Sequence, residues 1–156
     1  MKQTIKTEKI LAAYKVISMA KYAKLEDKDK VKVWKIARAL KPFATKFDED
    51  AKDAADKLKP TEDFAERLQK AQDYERMIKE PNLDASNLPM GAAEYGAFVV
   101  EFQKYNLLVG KAIKEFADKE VKLDFEPLTE DAFGKLIASN DWTMEQTIEI
   151  GALIVE

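Results

Sequence analysis

Apolar residues recur at alternating steps of four and three residues through a highly charged segment from Lys28 to Glu80. The positions that share this spacing are Val33, Ala37, Leu40, Ala44, Phe47, Ala51, Ala54 and Leu58. The pattern is typical of a helix that packs lengthwise against other helices. It continues past Pro42, which removes one helical hydrogen bond, so we predict either a kink there or two helices placed nearly end to end.

A second helix is predicted to begin at Thr61, directly after Pro60. Thr61 can cap a helix start, and the two acidic residues that follow it suit the positive end of the helix dipole. A proline-bounded loop follows at residues 80–89, and a long apolar helix then runs from Pro89 to about Asp118. One broad face of that helix collects Tyr95, Phe98, Val99, Phe102, Tyr105, Val109, Ala112, Ile113 and Phe116.

The two helices on either side of this loop should pack antiparallel, because the chain turns back near Asp84. Facing residues then have numbers that sum to roughly 169, which places Leu68 near Glu101. We therefore predict a long, kinked antiparallel helical hairpin over residues 51–110 that projects from a compact base. The base comprises residues 1–50 and 111–156, and the whole chain of 156 residues fits a single domain.

The base is predicted to include a small β patch. Apolar residues alternate with charged ones over residues 121–126, in the period of a half-buried strand. A single strand needs a partner, and the short segment Gln3–Lys6 is the available one. The predicted fold class is therefore mainly α, with a two-stranded β patch.

Three further helices are predicted from their start signals. Thr7 is expected to cap a first helix that reaches about Ala23. Thr129 precedes two acidic residues and should cap a short helix. Thr143 and Gln146 have the spacing of a capping box, which should begin the last helix.

Composition narrows the chemistry that this chain can perform. It has no cysteine and no histidine, which excludes thiolate metal sites, disulfides and every Cys/His or Ser/His/Asp arrangement. No apolar run approaches the ~20 residues of a membrane span, and the first residues lack the apolar region of a secretory signal. We expect a protein that is not an enzyme, with no cofactor, no catalytic residue and no membrane partner.

Acidic clusters leave a metal-dependent phosphotransfer enzyme as a third hypothesis. They occur at residues 27–29, 48–50 and 62–63. Residues 48–59 lack the glycine and the final glutamate of a calcium-binding loop, and helical Asp48 and Asp50 point to different faces. The sequence therefore favours solvated helix surface at these positions, and we predict no metal ligands.

Charge is distributed unevenly along the chain. Residues 1–41 hold 12 basic and 4 acidic residues, net +8, and the other 115 hold 14 basic and 25 acidic residues, net −11. Candidate nucleic-acid contacts are Lys28, Lys32, Lys35, Arg38 and Lys41, with Lys30, Trp34 and Tyr22 nearby. The alternative, which the lack of a recognised nucleic-acid-binding motif favours, is that these cations lie on a solvated face or meet acidic residues.

The apolar helix after the loop offers candidate helix-packing or oligomer contacts. Glycine within a helix costs about 1 kcal/mol, so its presence there indicates close approach of another helix, in the hairpin or between subunits. The candidate residues are Gly96, Phe98, Phe102, Tyr105 and Gly110. The aromatic residues are more typical of a core than of a ligand pocket at this helical spacing.

The order of parts resembles a family of small helical proteins of unknown function that phages and prophages encode. The resemblance covers most of the chain and rests on three segments, residues 4–11, 33–41 and 121–129. It implies a viral origin and a location in the cytoplasm of a bacterial host or in the virion, and it carries over no catalytic residue. Our leading hypothesis is a non-enzymatic structural, assembly or interaction protein of phage type. Its partners would be copies of itself or phage assembly components, and a nucleic-acid-binding module is the alternative.

Overall fold

The computed structural model describes residues 2–156 and confirms the predicted fold class. Within these residues six α-helices accompany one two-stranded antiparallel sheet. In chain order the elements are β1 (Lys2–Lys6), α1 (Thr7–Ile17), α2 (Asp27–Lys57), α3 (Phe64–Met77), a 3-10 turn (Ala85–Asn87), α4 (Ala92–Asp118), β2 (Glu120–Asp124), α5 (Glu130–Ser139) and α6 (Met144–Ile154).

The chain divides into two compact units, each with its own hydrophobic core. The first unit contains residues up to Asp50 together with Lys114–Glu156, and the second contains Ala51–Ile113. Helices α2 and α4 contribute residues to both units. The single-domain interpretation and the projection of a hairpin from a base stay predictions.

The sheet of the first unit pairs the two segments that the sequence pattern selected. Strand β1 runs antiparallel to β2, with Lys2 opposite Asp124 and Ile5 opposite Val121. The two-stranded patch is therefore confirmed. Alternate residues of β2 face inward, because a period of two places successive side chains on opposite sides of a sheet.

Helix α1 differs from its prediction at both ends. Its N-cap residue is Lys6, whose side chain makes no capping hydrogen bond. Thr7 lies in the first turn, and its hydroxyl donates to the carbonyl oxygen of Lys119 at 2.8 Å. The helix ends at Ile17 and not near Ala23. The Asn140 side chain accepts from the Lys21 N–H and donates to the Lys21 carbonyl oxygen, both at 2.7 Å, so neither group can join a helical ladder.

Helix α2 is continuous through Pro42, so the alternative of two separate helices is wrong. Pro42 lies on the exposed side of the helix, where water can satisfy the carbonyl group that proline leaves without a donor. All eight positions of the apolar seam are buried or half-buried, and Ile36 joins them. The seam therefore does mark the packed side of the helix.

The caps of the last two helices follow the prediction. The Thr129 hydroxyl accepts from the N–H of Ala132 at 3.2 Å at the start of α5. Thr143 and Gln146 form a reciprocal capping box at the start of α6.

The core of the first unit comprises Ile10, Ala13, Ile17, Leu25, Val33, Ile36, Leu40, Leu123, Phe125, Leu128, Ala132, Leu136, Ile150, Leu153 and Ile154.

In the second unit α3 and α4 pack antiparallel in the predicted register. The rings of Phe64 and Tyr105 lie 4.7 Å apart between centroids, and those of Tyr74 and Tyr95 lie 4.5 Å apart. Both pairs have numbers that sum to about 169, as a return of 1.5 Å per residue from the intervening loop requires. The antiparallel pairing is therefore confirmed.

Both helices of this pair begin three residues later than predicted. The Thr61 hydroxyl donates to the Asp63 carboxylate at 2.6 Å and accepts from the Arg67 guanidinium at 3.3 Å. Asp63, not Thr61, is the N-cap residue, and α3 begins at Phe64. Met90 is buried in the core of this unit, and Gly91 provides the first carbonyl of α4, which accepts from the Tyr95 N–H at 2.9 Å. Helix α4 therefore begins at Ala92 and not at Pro89.

Candidate functional site

Helix α4 has two opposite faces, of which one is apolar and packed and the other is open to solvent. Phe98 is buried, and Phe102 and Tyr105 are half-buried beside it on the inner face, against Phe64 of α3. The Tyr105 hydroxyl donates to the carbonyl oxygen of Ala55 at 2.7 Å. These three predicted helix-packing contacts therefore belong to the core of the second unit.

The opposite side of α4, which we name the outer face, is exposed at every position. It comprises Gly96, Val100, Gln103, Leu107 and Gly110, at alternating steps of four and three residues. At 3.6 residues per turn these positions lie opposite the inner face. Leu107 is 75% exposed, and neighbouring Leu108 is more than half exposed. The outer face thus repeats the spacing of a helix-packing seam on a surface that the described residues leave uncovered.

The two glycines do not serve close packing within this unit. A Cβ atom added to Gly96 or Gly110 would meet nothing within 4 Å. The prediction of close approach inside the hairpin is therefore wrong, since both glycines lie on the outer face and not against α3. Approach of another molecule is the part of that prediction that stays open.

The predicted basic stripe divides between two sides of α2. Lys28, Lys32 and Lys35 lie at helical spacing on one side of the helix. Lys28 forms an ion pair with Glu26 at 3.1 Å, and Lys32 forms one with Glu126 at 3.0 Å. Two of the five predicted contacts therefore neutralise acidic residues of the same unit.

The other side of α2 combines cations with an exposed aromatic ring. Lys30, Arg38 and Lys41 lie four residues before, four after and seven after Trp34, which places all four on one side of the helix. Trp34 is 56% exposed, and the Arg38 guanidinium carbon lies 5.3 Å from its ring centroid. The sequence contains this spacing of four, four and three residues, but lysines occur so evenly along the segment that the spacing alone does not single out these positions.

A groove runs beside this side of α2 and holds a second exposed aromatic residue. Tyr22, which is 53% exposed, lines the groove together with Trp34, Lys30 and Val31. Its volume is about 380 Å³, and residues of the α1 end form the opposite wall. We name it the Tyr22–Trp34 groove.

Two larger grooves lie along α1 and α6 in the first unit. One, of about 520 Å³, has an apolar floor of Ile5, Ala12 and Leu153. The other, of about 710 Å³, extends past Trp142 and the exposed Met19. Glu8, Lys9 and Glu149 on the rim of the first carry both signs of charge, so this rim selects no single charge type.

The predicted acidic clusters do not converge on a common point. Among residues 2–156 no group of three or more His, Cys, Asp or Glu side chains is placed to hold a metal ion. Lys46 forms an ion pair with Asp50 at 3.0 Å within one turn of α2, and Lys30 forms one with Asp27 at 3.2 Å. Most of these carboxylates are exposed, but Asp29 is buried, so the prediction of solvated helix surface is wrong at that position.

The charged pair of Arg67 and Glu101 joins α3 to α4 beside the aromatic cluster. One guanidinium nitrogen lies 3.2 Å from a carboxylate oxygen, and the second nitrogen donates to the other oxygen. Arg67 also lies over the Phe98 ring at 5.3 Å. Its hydrogen bond holds the pKa of the Glu101 carboxyl below the ordinary 4.5. Sequence reasoning placed Leu68, one residue away, at this contact.

Glu101→Gln should reduce the melting temperature at neutral pH and have less effect as the medium becomes more acidic. Because the folded-state pKa of Glu101 is lowered, its stabilisation is complete above 4.5 and is lost as the pH falls through the folded-state value. Thermal melts of both proteins across this range provide the measurement. Glu66→Gln, which removes an exposed partner of Lys70, is the matched control and should change little. A difference between wild type and Glu101→Gln that stays constant with pH would contradict this expectation.

Within residues 2–156 no helix combines the length and the apolar character that crossing a lipid bilayer requires.

Comparison of the chain with protein-family models, with curated proteins and with solved structures gave no match.

Proposed function

We propose that this protein is a non-enzymatic interaction protein that binds protein partners through exposed helical faces. Its partners are other copies of itself or components of a phage-type assembly, in the cytoplasm of a bacterial host or in a virion. The observation that carries the proposal is the outer face of α4, where apolar side chains at seam spacing lie in solvent.

Burial of the apolar side chains of the outer face by a partner would contribute favourable free energy to association. Burying a leucine side chain contributes roughly 1.5–3 kcal/mol. Leu107 and Val100 on this face each expose half or more of their surface, and covering them removes this apolar area from water.

The shape of the outer face suits a second helix. Gly96 and Gly110 leave the backbone uncovered at the two ends of the face, and Leu107 stands between them. If two copies of α4 cross antiparallel, Leu107 of one copy can lie over Gly96 of the other, as a large side chain fills the gap left by a small one. Small residues at a contact permit such close approach of two helix axes.

Leu107→Glu should shift the protein toward the monomer. A carboxylate at the centre of the outer face would lose its hydration on association, and burial of an unpaired charge costs several kcal/mol. Light scattering coupled to size exclusion, over a series of protein concentrations, measures the change in mass. Met144→Glu is the matched control, because Met144 is also 75% exposed but lies on α6.

Two outcomes would overturn this proposal. A wild-type protein that remains monomeric at every concentration, and binds no assembly component through this face, would remove its basis. Equal effects of Leu107→Glu and Met144→Glu would show that general surface charge, and not the outer face, controls association.

A further inference from the structure

The Tyr22–Trp34 groove combines exposed aromatic rings with a positively charged side chain. Tyr22 and Trp34 line it with more than half of their surface exposed, and Lys30 lines it as well. Exposed aromatic rings cost free energy in water unless a partner covers them. The groove has a volume of about 380 Å³.

The cations around the groove are positioned for a chain of negative charges. Lys30, Arg38 and Lys41 occupy the same side of α2 as Trp34, over about three turns of helix. Lys30 pairs with Asp27, which is exposed, and such surface pairs contribute at most about 1 kcal/mol. Lys41 has no ion-pair partner in the part of the chain that the structure describes, residues 2–156. These cations therefore stay available to a polyanion.

We propose that the Tyr22–Trp34 groove binds single-stranded nucleic acid. Unpaired bases stack on the exposed rings of Trp34 and Tyr22, while backbone phosphates contact Lys30, Arg38 and Lys41. Stacking on aromatic side chains requires bases that are free of a duplex, which is why the groove selects a single strand. The Arg38 guanidinium lies over one face of the Trp34 ring, which leaves the other face to a base, and it adds a positive charge.

The surrounding charge favours nucleic acid over a protein partner. Between Lys15 and Lys41 the chain holds 9 basic and 3 acidic residues, net +6, and eight of the basic residues are lysine. Lysine is depleted at protein–protein contacts, whereas release of counterions by lysine drives binding to phosphate backbones. This second binding site is independent of the outer face of α4.

The test uses the full chain and a fluorescently labelled oligothymidine of about 12 nucleotides, within the usual site size of such grooves. Fluorescence anisotropy titrations should show binding that weakens steeply with salt and exceeds binding to a duplex of equal length. Trp34→Ala should reduce the affinity about 10-fold, and Trp34→Phe should restore most of it. Arg38→Glu should reduce the affinity more than Lys35→Glu, which makes the same charge change on the other side of α2.

Each contrary result would overturn the proposal. No binding of the oligothymidine, equal binding of the duplex, or Trp34→Ala with unchanged affinity would each do so. A labelled polyglutamate peptide is titrated in parallel. If it binds more tightly than the oligothymidine, the groove takes an acidic protein segment and not nucleic acid. Circular dichroism melts of Trp34→Ala and Trp34→Phe confirm that the comparison is between folded proteins.

Discussion

Replacing Phe64 by alanine should lower the free energy of unfolding by about 3–5 kcal/mol, the range for large aromatic residues removed from a core. Phe64 is 2% exposed, and its ring lies within 6.2 Å, between centroids, of Phe98, Phe102 and Tyr105. It is therefore the centre of the aromatic cluster that joins α3 to α4. The substitution leaves a cavity among the rings of Phe98, Phe102 and Tyr105, which α4 holds in place.

The loss should be local to the second unit, because the two cores share no buried residue. Urea unfolding gives the free energy, and amide hydrogen exchange shows where protection falls. We expect loss across α3 and residues 92–113, with protection kept in the first unit. Tyr22→Ala, a truncation of an exposed aromatic residue, is the control and should cost about 0.5 kcal/mol or less. Uniform loss of protection over the whole chain would contradict the separation of the two cores.

Replacing Leu40 by alanine should cost about 2–5 kcal/mol, the second largest effect that we expect. Leu40 is fully buried on the seam of α2, in the core that also holds residues of α1, β2, α5 and α6. Its loss leaves a cavity among elements that meet from several directions. Hydrogen exchange should show the reduced protection in the first unit.

Lys41→Ala provides the matched control for this second prediction. Lys41 is the next residue along α2 and is exposed, so its truncation should change the free energy of unfolding by about 0.5 kcal/mol or less. Both variants stand beside Pro42, so any effect of the proline on the helix is common to them. Equal losses in the two variants would mean that the seam of α2 does not carry the core.

The sequence was most informative where one local rule decides the structure. The seam of α2 has a single spacing over eight positions, and Pro42 on its exposed side does not interrupt it. The strand at residues 120–124 has one candidate partner, and the two pair. Thr129 and Thr143 cap their helices, as their spacing before the first turn predicts.

The sequence was misleading where distant side chains compete for the backbone. Asn140 holds both polar backbone groups of Lys21, 119 residues away, and this stops α1 early. The hydroxyl of Thr7 donates to the carbonyl oxygen of Lys119, 112 residues away, and Lys6, not Thr7, is the N-cap residue of α1. A local pattern contains no information about such partners.

The residues of each candidate site, which the sequence grouped together, lie on different sides of their helices. The predicted packing residues of α4 formed one set in the sequence, but they lie on two opposite faces of a helix. The inner members build a core, and only the glycines lie on the outer face. The basic stripe likewise divides, because three successive steps of three residues, from Lys32 to Lys41, turn its later members away from its first ones.

Spin labelling beside the outer face of α4 tests the central claim, that this face joins copies of the chain. The chain has no cysteine, so Lys104→Cys gives a single labelling site next to Gln103. We predict dipolar coupling between labels of neighbouring copies, because associated helix axes lie about 8–10 Å apart, and this coupling should vanish on dilution or when Leu107→Glu is added. Absence of coupling at every concentration, or coupling that Leu107→Glu leaves unchanged, would contradict the account.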